Sequence, residues 1–193
     1  MLGDPSFTEM FFQNFADHTA LASFTSEASA LAGTNRQAVI PRGFFSKQGK
    51  ALRITAAGVV SSTGTPTYLF TNRIGSTIGA SDLTGTAVGV SAAITTGSGI
   101  SNQLWFMVLD IVCRTPGQGT NNTTVSCFGS VRSGGGFASP FDYALTPGGG
   151  ASATWTATLN NAVDLYPNLS VTCSLSSASN TITCKEYKVE ALN

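Results

Sequence analysis

Four cysteines, one histidine and a few scattered carboxylates are the side chains here that could do chemistry. Their spacing decides what chemistry that would be. Cys113, Cys127, Cys173 and Cys184 contain no C-x-x-C pair and none of the two-to-four-residue gaps that bring thiolates onto one zinc ion. If the last two strands form a hairpin with Leu175 opposite Ile182, Cys173 falls directly opposite Cys184. The same arithmetic about a turn near Thr120 sets Cys113 opposite Cys127. Both pairs would then face inward, as cross-strand disulfides or as small buried hydrophobes carrying thiols.

The other groups are sparse. His18 stands alone, and a lone histidine is more often a surface residue than a catalyst. No G-x-S-x-G elbow is present. Asp82 and Asp110 are the only acids between residues 28 and 141, so a carboxylate pair for glycoside hydrolysis needs Asp142 or Asp164 brought to one of them by the fold. Asp110 interrupts the apolar run Trp105 to Cys113 and expects an ion-pair partner, Arg114 on the same strand face. Nothing in the pattern points to a metal, a cofactor or a catalytic residue.

Composition narrows the class further. Charged residues make up 10% of the 193, against about 25% in an ordinary globular chain, and the formal net charge is zero. A neutral chain is not a general nucleic-acid binder. No apolar run approaches the ~20 residues of a membrane-spanning helix, and no signal peptide is visible. A surface this poor in charge expects partners, because charge is what keeps copies apart. The charges are also segregated: Asp4, Glu9, Asp17 and Glu27 precede any Lys or Arg, whereas Arg36, Arg42, Lys47, Lys50, Arg53 and Arg73 follow with no acid among them. One copy's N-terminal segment could therefore pair with its neighbour's body.

The elements that must position these groups are strands. Thr, Ser and Gly exceed a third of the chain, and turn clusters such as "STGTPT", "TTGSG", "TPGQGTNN" and "PGGG" break it every 8–12 residues or so. Ala51 to Ser61, Thr67 to Ile74, Ala87 to Ile94, Trp105 to Cys113, Thr123 to Val131, Phe137 to Leu145 and Leu169 to Leu175 all read as strands. Trp105 to Cys113 is apolar on both faces and predicts a central strand covered on both sides. In "ATWTATL", Trp155, Ala157 and Leu159 share one face, and the alternation turns both Trp155 and Trp105 inward. Near the end, the apolar residues change parity at Lys185-Glu186, from Ile182 and Cys184 to Tyr187, Val189 and Ala191. A β-bulge, or a strand leaving one sheet for another, would restore the inward direction. The expectation is an all-β fold: an antiparallel β-sandwich or jelly roll over residues 20–193.

Residues 1–19 read differently, as an N-terminal arm. Asp4-Pro5 resembles a helix cap, and Phe7, Met10, Phe11 and Phe15 fall at i, i+3, i+4 and i+8. This predicts a short helix. It either folds back on its own domain or docks on a neighbouring subunit through Phe7, Met10, Phe11, Phe12 and Phe15.

Three stretches carry a resemblance: "ALRITAAGVVSSTGTPTYLFTNRIG", "LWFMVLDIVCRTPG" and "LSVTCSLSSASNTITCKEYKVEALN". With their Gly58 to Pro66 turn they are similar to small β-sandwich structural proteins of tailed bacteriophages. The resemblance covers roughly residues 20–193 and rests on turn and core residues. It implies a jelly-roll-like virion protein of the capsid cement or decoration type, with no enzymatic activity. Such a protein would be assembled in the host cytoplasm and sit on the capsid surface. Its partners would be the major capsid protein and copies of itself, as a homotrimer, with no nucleic acid and no membrane. Cytoplasmic assembly favours thiols over disulfides for the four cysteines. The rival expectation is a tail-fibre or receptor- or carbohydrate-binding module, in which Trp105, Trp155 or Tyr166 stacks on sugar.

Overall fold

The computed structural model describes residues 8–31, 38–78, 83–117, 123–133, 141–149, 152 and 154–192. Among the described residues thirteen strands follow one another: β1 (Glu9–Gln13), β2 (Leu21–Ala22), β3 (Ala28–Ser29), β4 (Ala51–Ser62), β5 (Thr67–Gly75), β6 (Thr86–Val90), β7 (Ile94–Thr95), β8 (Ile100–Thr115), β9 (Thr123–Ser133), β10 (Phe141–Leu145), β11 (Thr156–Leu159), β12 (Tyr166–Cys173) and β13 (Thr181–Ala191). They form two antiparallel sheets. The larger runs β1-β13-β4-β8-β9-β10, with β2 added to β13 and β11 to β9. The smaller runs β3-β12-β5-β6, with β7 added to β5. The antiparallel sandwich expected from the turn spacing is the fold.

Strict alternation drives the layering. β4 is buried at every second residue from Leu52 to Ser62, because a strand directs successive side chains to opposite faces. Leu52, Ile54, Met107, Leu109 and Ile111 of the larger sheet and Tyr68, Phe70, Leu169 and Val171 of the smaller are fully buried in the core between the sheets. Phe70 and Trp105 meet across the layers with ring centroids 5.1 Å apart. Each such side chain contributes about 1.5–3 kcal/mol on burial.

Two of the changes of sheet at one end of the sandwich, from β4 to β5 and from β12 to β13, nest one inside the other, so β4 pairs with β13 in one layer and β5 with β12 in the other. This nesting is what makes the sandwich jelly-roll-like. Buried Asn180 joins the two crossings: its Oδ1 accepts the Thr63 N–H at 2.9 Å and its Nδ2 donates to the Leu175 carbonyl at 2.9 Å.

The hairpin expected around Cys173 and Cys184 is therefore not formed. Its two strands lie in different sheets; Cys173 stands opposite Tyr68 and Cys184 opposite Gly58. Cys113 and Cys127 do lie on paired strands, but Cys113 faces Val125 and Cys127 faces Ile111. All four are buried free thiols. Gly58 is not part of a turn but of β4, where it packs under Trp105. The parity change at Lys185-Glu186 is a β-bulge within β13, where the register shifts between Cys184 and Glu186.

The helix expected near the N-terminus is replaced, in its described part, by strand β1 along β13; Asp4, Pro5 and Phe7 lie outside the described residues. The open edge of β13 offers hydrogen bonds to an extended chain, whereas an isolated helix this short is unstable. A register shift between Met10 and Phe12 accompanies the packing of both Phe11 and Phe12 against the core. His18 is not on the surface: it is 3% exposed, with its backbone N–H donated to the Cys184 carbonyl at 2.9 Å.

Candidate functional site

Two surfaces present side chains that the core does not use. The first is the N-terminal edge. Phe11 meets Phe44 edge-on at 5.3 Å, and Phe12 lies 6.3 Å from Tyr187, so both rings are engaged by their own domain. Met10 is about half exposed, and Phe15 is 87% exposed. The backbone beneath Phe15 is held on both sides. The Asn14 N–H donates to the Tyr187 carbonyl at 3.1 Å, the Asn14 side chain donates to Lys185 O at 2.8 Å, and Lys185 Nζ meets Asp17 at 2.5 Å. The segregated charges are thus used partly within the chain. Glu27 likewise binds Arg73 through two hydrogen bonds of 2.7 and 2.8 Å and accepts a third from Ser170. The Arg73 guanidinium holds the Glu27 carboxyl below its ordinary value.

The second surface is the outer face of the larger sheet. β8 is the central strand expected from its apolar pattern, but only one of its faces is covered. Trp105, Met107, Leu109 and Ile111 point into the core. Leu104, Phe106, Val108, Asp110 and Val112 point out, with Leu104 71% exposed. The register sets Phe106 opposite Arg132, Val108 opposite Ser130 and Asp110 opposite Phe128. Each cross-strand pair therefore couples one apolar and one polar side chain, a checkerboard with a spacing of about 5 Å. On the flank, β10 places Asp142 opposite Arg132 and Ala144 opposite Ser130.

Trp155 completes this face. Its carbonyl accepts the Cys127 N–H at 2.8 Å, but it precedes the regular pairing of β11, and its side chain is 60% exposed. The inward direction expected for Trp155 is corrected: alternation holds for Ala157 and Leu159 and stops where the strand stops. Trp105 is in the core, and Tyr166 begins β12 in the other sheet. The three aromatics considered as a sugar platform are thus not brought together. Phe128 is the aromatic beside Trp155, in a shallow concavity of about 480 Å³ whose lining includes Val108, Asp110, Ser130, Arg132 and Asp142.

The charges in this concavity are paired. Asp110 does not reach Arg114. It accepts two hydrogen bonds of 2.7 Å from Arg53 on β4, opposite it in register. Residues four apart on one strand are separated by about 13 Å, whereas cross-strand neighbours are about 5 Å apart. The pairing with Asp110 raises the Arg53 pKa. Arg132 Nε lies 3.5 Å from Asp142 and donates to the Ser130 hydroxyl at 3.1 Å. Asp110 and Asp142 thus share one concavity, each beside an arginine, while Asp164 is engaged elsewhere by the Arg42 N–H at 2.9 Å. Among the described residues no three His, Cys, Asp or Glu side chains gather so as to hold a metal ion.

No protein-family model matches this chain, and no curated protein matches it. Two solved structures bear a weak likeness to it. One is the conserved carbohydrate esterase of the Shiga toxin-encoding bacteriophage phi24B, with 12% identity over 94% of this chain and 90% of that one, at a TM-score of 0.31. The other is the infectious bursal disease virus VP2 subviral particle, with 13% identity over 97% of this chain and 41% of that one, at a TM-score of 0.21. At these scores neither likeness carries an argument about activity or site.

Proposed function

We propose that this chain is a non-enzymatic structural protein of a tailed-phage virion, a capsid cement protein. It packs on the outer surface of the head and stabilises the shell through contacts with the major capsid protein and with copies of itself, as a trimer. The observation that carries this reading is Phe15, a nearly fully exposed phenylalanine on a backbone pinned to β13 from both sides. A large apolar side chain exposed on a backbone tied in place is suited to fill a neighbour's pocket. On a symmetric lattice, many such weak contacts add through multivalency. The scarcity of charge supports the same reading, since it leaves little to repel a neighbour.

Add-back to particles stripped of this protein tests the proposal. Wild-type protein is expected to rebind at hundreds of copies per particle, and Phe15→Asp with Met10→Asp to lose at least tenfold in occupancy while remaining folded. Unchanged occupancy of the double variant rejects this anchor.

A second reading, a tail-fibre or receptor-binding module, is favoured by the exposure of Trp155. It expects a few to a few tens of copies per particle.

A further inference from the structure

We infer that the concavity on the outer face of the larger sheet, between Trp155, Phe128 and Asp142, is a binding site for a neutral glycan. This deepens the second reading by naming its site and ligand class, and it does not need the place in the particle which that reading assumes.

The ligand class follows from the lining. A sugar ring is apolar on its C–H face and polar around its rim. It is recognised by an aromatic surface with planar hydrogen-bonding groups a few ångströms away. Trp155 and Phe128 supply exposed aromatic surface. Asp142, Arg132 and the Ser130 hydroxyl supply donors and acceptors beside it. The checkerboard along β8 and β9 alternates the two kinds at the scale of one ring.

Two competing ligand classes fit less well. An anionic ligand would need unpaired positive charge, but Arg132 lies beside Asp142, and the charge of Arg53 is matched by Asp110, which it binds through Nε and Nη2. A protein partner would call for a dry apolar centre with its polar groups at the rim. Here the polar groups lie among the aromatics.

The floor of the site is in place before any ligand arrives. Its floor is the paired pair of strands β8 and β9, backed by the core, so little ordering cost falls on association. Its volume lies within the range of about 300–1,000 Å³ usual for small-molecule sites.

The test uses a glycan array, followed by titration of the full chain with the neutral trisaccharides of glucose, galactose, mannose and N-acetylglucosamine, with sialyllactose as the anionic control. Tryptophan fluorescence reports the site, because Trp155 is exposed whereas buried Trp105 acts as an internal reference for folding. The expected result is saturable binding of at least one neutral probe, with a Kd of about 10 μM to 1 mM. Trp155→Ala, which removes that reporter and is therefore titrated by calorimetry, should weaken it at least tenfold, and Asp142→Asn, which keeps the aromatic surface, at least fivefold. The inference is overturned by no saturable change with any neutral probe, by undiminished binding in Trp155→Ala, or by preference for sialyllactose. Loss of particle binding in Trp155→Ala without any glycan binding would make this face a protein contact and also overturn it. Copy number is read separately: glycan binding at a shell-like copy number rejects only the fibre placement, and a fibre-like copy number without glycan binding rejects only the site.

Discussion

Arg53 and Asp110 stand opposite each other on β4 and β8, joined through both carboxylate oxygens by hydrogen bonds of 2.7 Å. The pair occupies the middle of the exposed face, with the Asp110 side chain 18% exposed. Because Arg53 remains well solvated, the pair's contribution is modest. Arg53→Ala is expected to lower the unfolding free energy by about 1 kcal/mol. The double change with Asp110→Ala should cost less than the sum of the single changes, as measured by urea denaturation.

Glu27 gives the fold an acid-sensitive tie. Its hydrogen bonds with Arg73, opposed by desolvation and aided by Ser170, hold its folded pKa below the ordinary value of 4.5. A carboxyl depressed on folding adds stability that is present above its unfolded pKa and is lost as pH falls through the folded one. Thermal stability should therefore drop below about pH 4.5. Glu27→Gln should be less stable near neutrality and show a shallower acid slope. Identical slopes for the two proteins would refute the assignment.

The thiols are expected to be chemically quiet. Burial pushes Cys127 and Cys184 up to about 12 and raises Cys113. Three sulfhydryls donate to nearby carbonyls: Cys113 to Phe45, Cys173 to Leu175 and Cys184 to Glu186. Native protein should react with Ellman's reagent only at the rate of unfolding, whereas protein in guanidinium should release four equivalents at once. A reductant should leave the melting temperature unchanged.

Gly58 is fixed by space. A β-carbon there would lie 1.9 Å from the Thr183 carbonyl oxygen and 2.8 Å from the Trp105 indole. Backbone and a fully buried ring must both move, so Gly58→Ala is expected to cost about 3 kcal/mol, at the upper end for overpacking. Gly64→Ala, whose nearest neighbour is a Leu175 methyl at 3.7 Å, meets only the strain of its φ of +75° and should cost about 1 kcal/mol. Comparing the two denaturation midpoints checks the contrast.

At the N-terminal edge, stability and assembly separate by residue. Phe12→Ala removes a ring packed beside Tyr187 and should cost about 2 kcal/mol. Phe15→Asp should change stability by no more than about 0.5 kcal/mol. Deleting the whole segment would mix the two effects, because it also strips β1 from β13.

The layers were legible wherever alternation was unbroken. Leu52 and Ile54, or Met107 and Leu109, announced their faces, and the parity change after Cys184 located the bulge. What failed were contacts that depend on where a strand ends or which sheet it joins. The residues between Cys173 and Thr181 could equally close a hairpin or cross the sandwich, because Ser and Asn serve both. Trp155 lies one residue before its strand, where period two no longer applies. Asp110's partner came from β4, a neighbour that no local window around residue 110 contains. The exposed face of β8 was hidden because Leu104, Phe106 and Val108 are as apolar as core residues, and composition does not say which side is dry. The folding-back of Phe11 and Phe12 was one of the two readings of the N-terminal segment, though as a helix rather than a strand.

β13 pairs with β4 on one side and with β1 and β2 on the other. The larger sheet therefore cannot close until a segment near residue 190 inserts between partners that left the ribosome much earlier. Until then the first strands have no template and β4 has a bare edge, so the nascent chain must wait with its phenylalanines uncovered. Such long-range closure is slow and prone to sticking. A stop codon just ahead of Thr181 should accordingly yield inclusion bodies rather than a shortened soluble product.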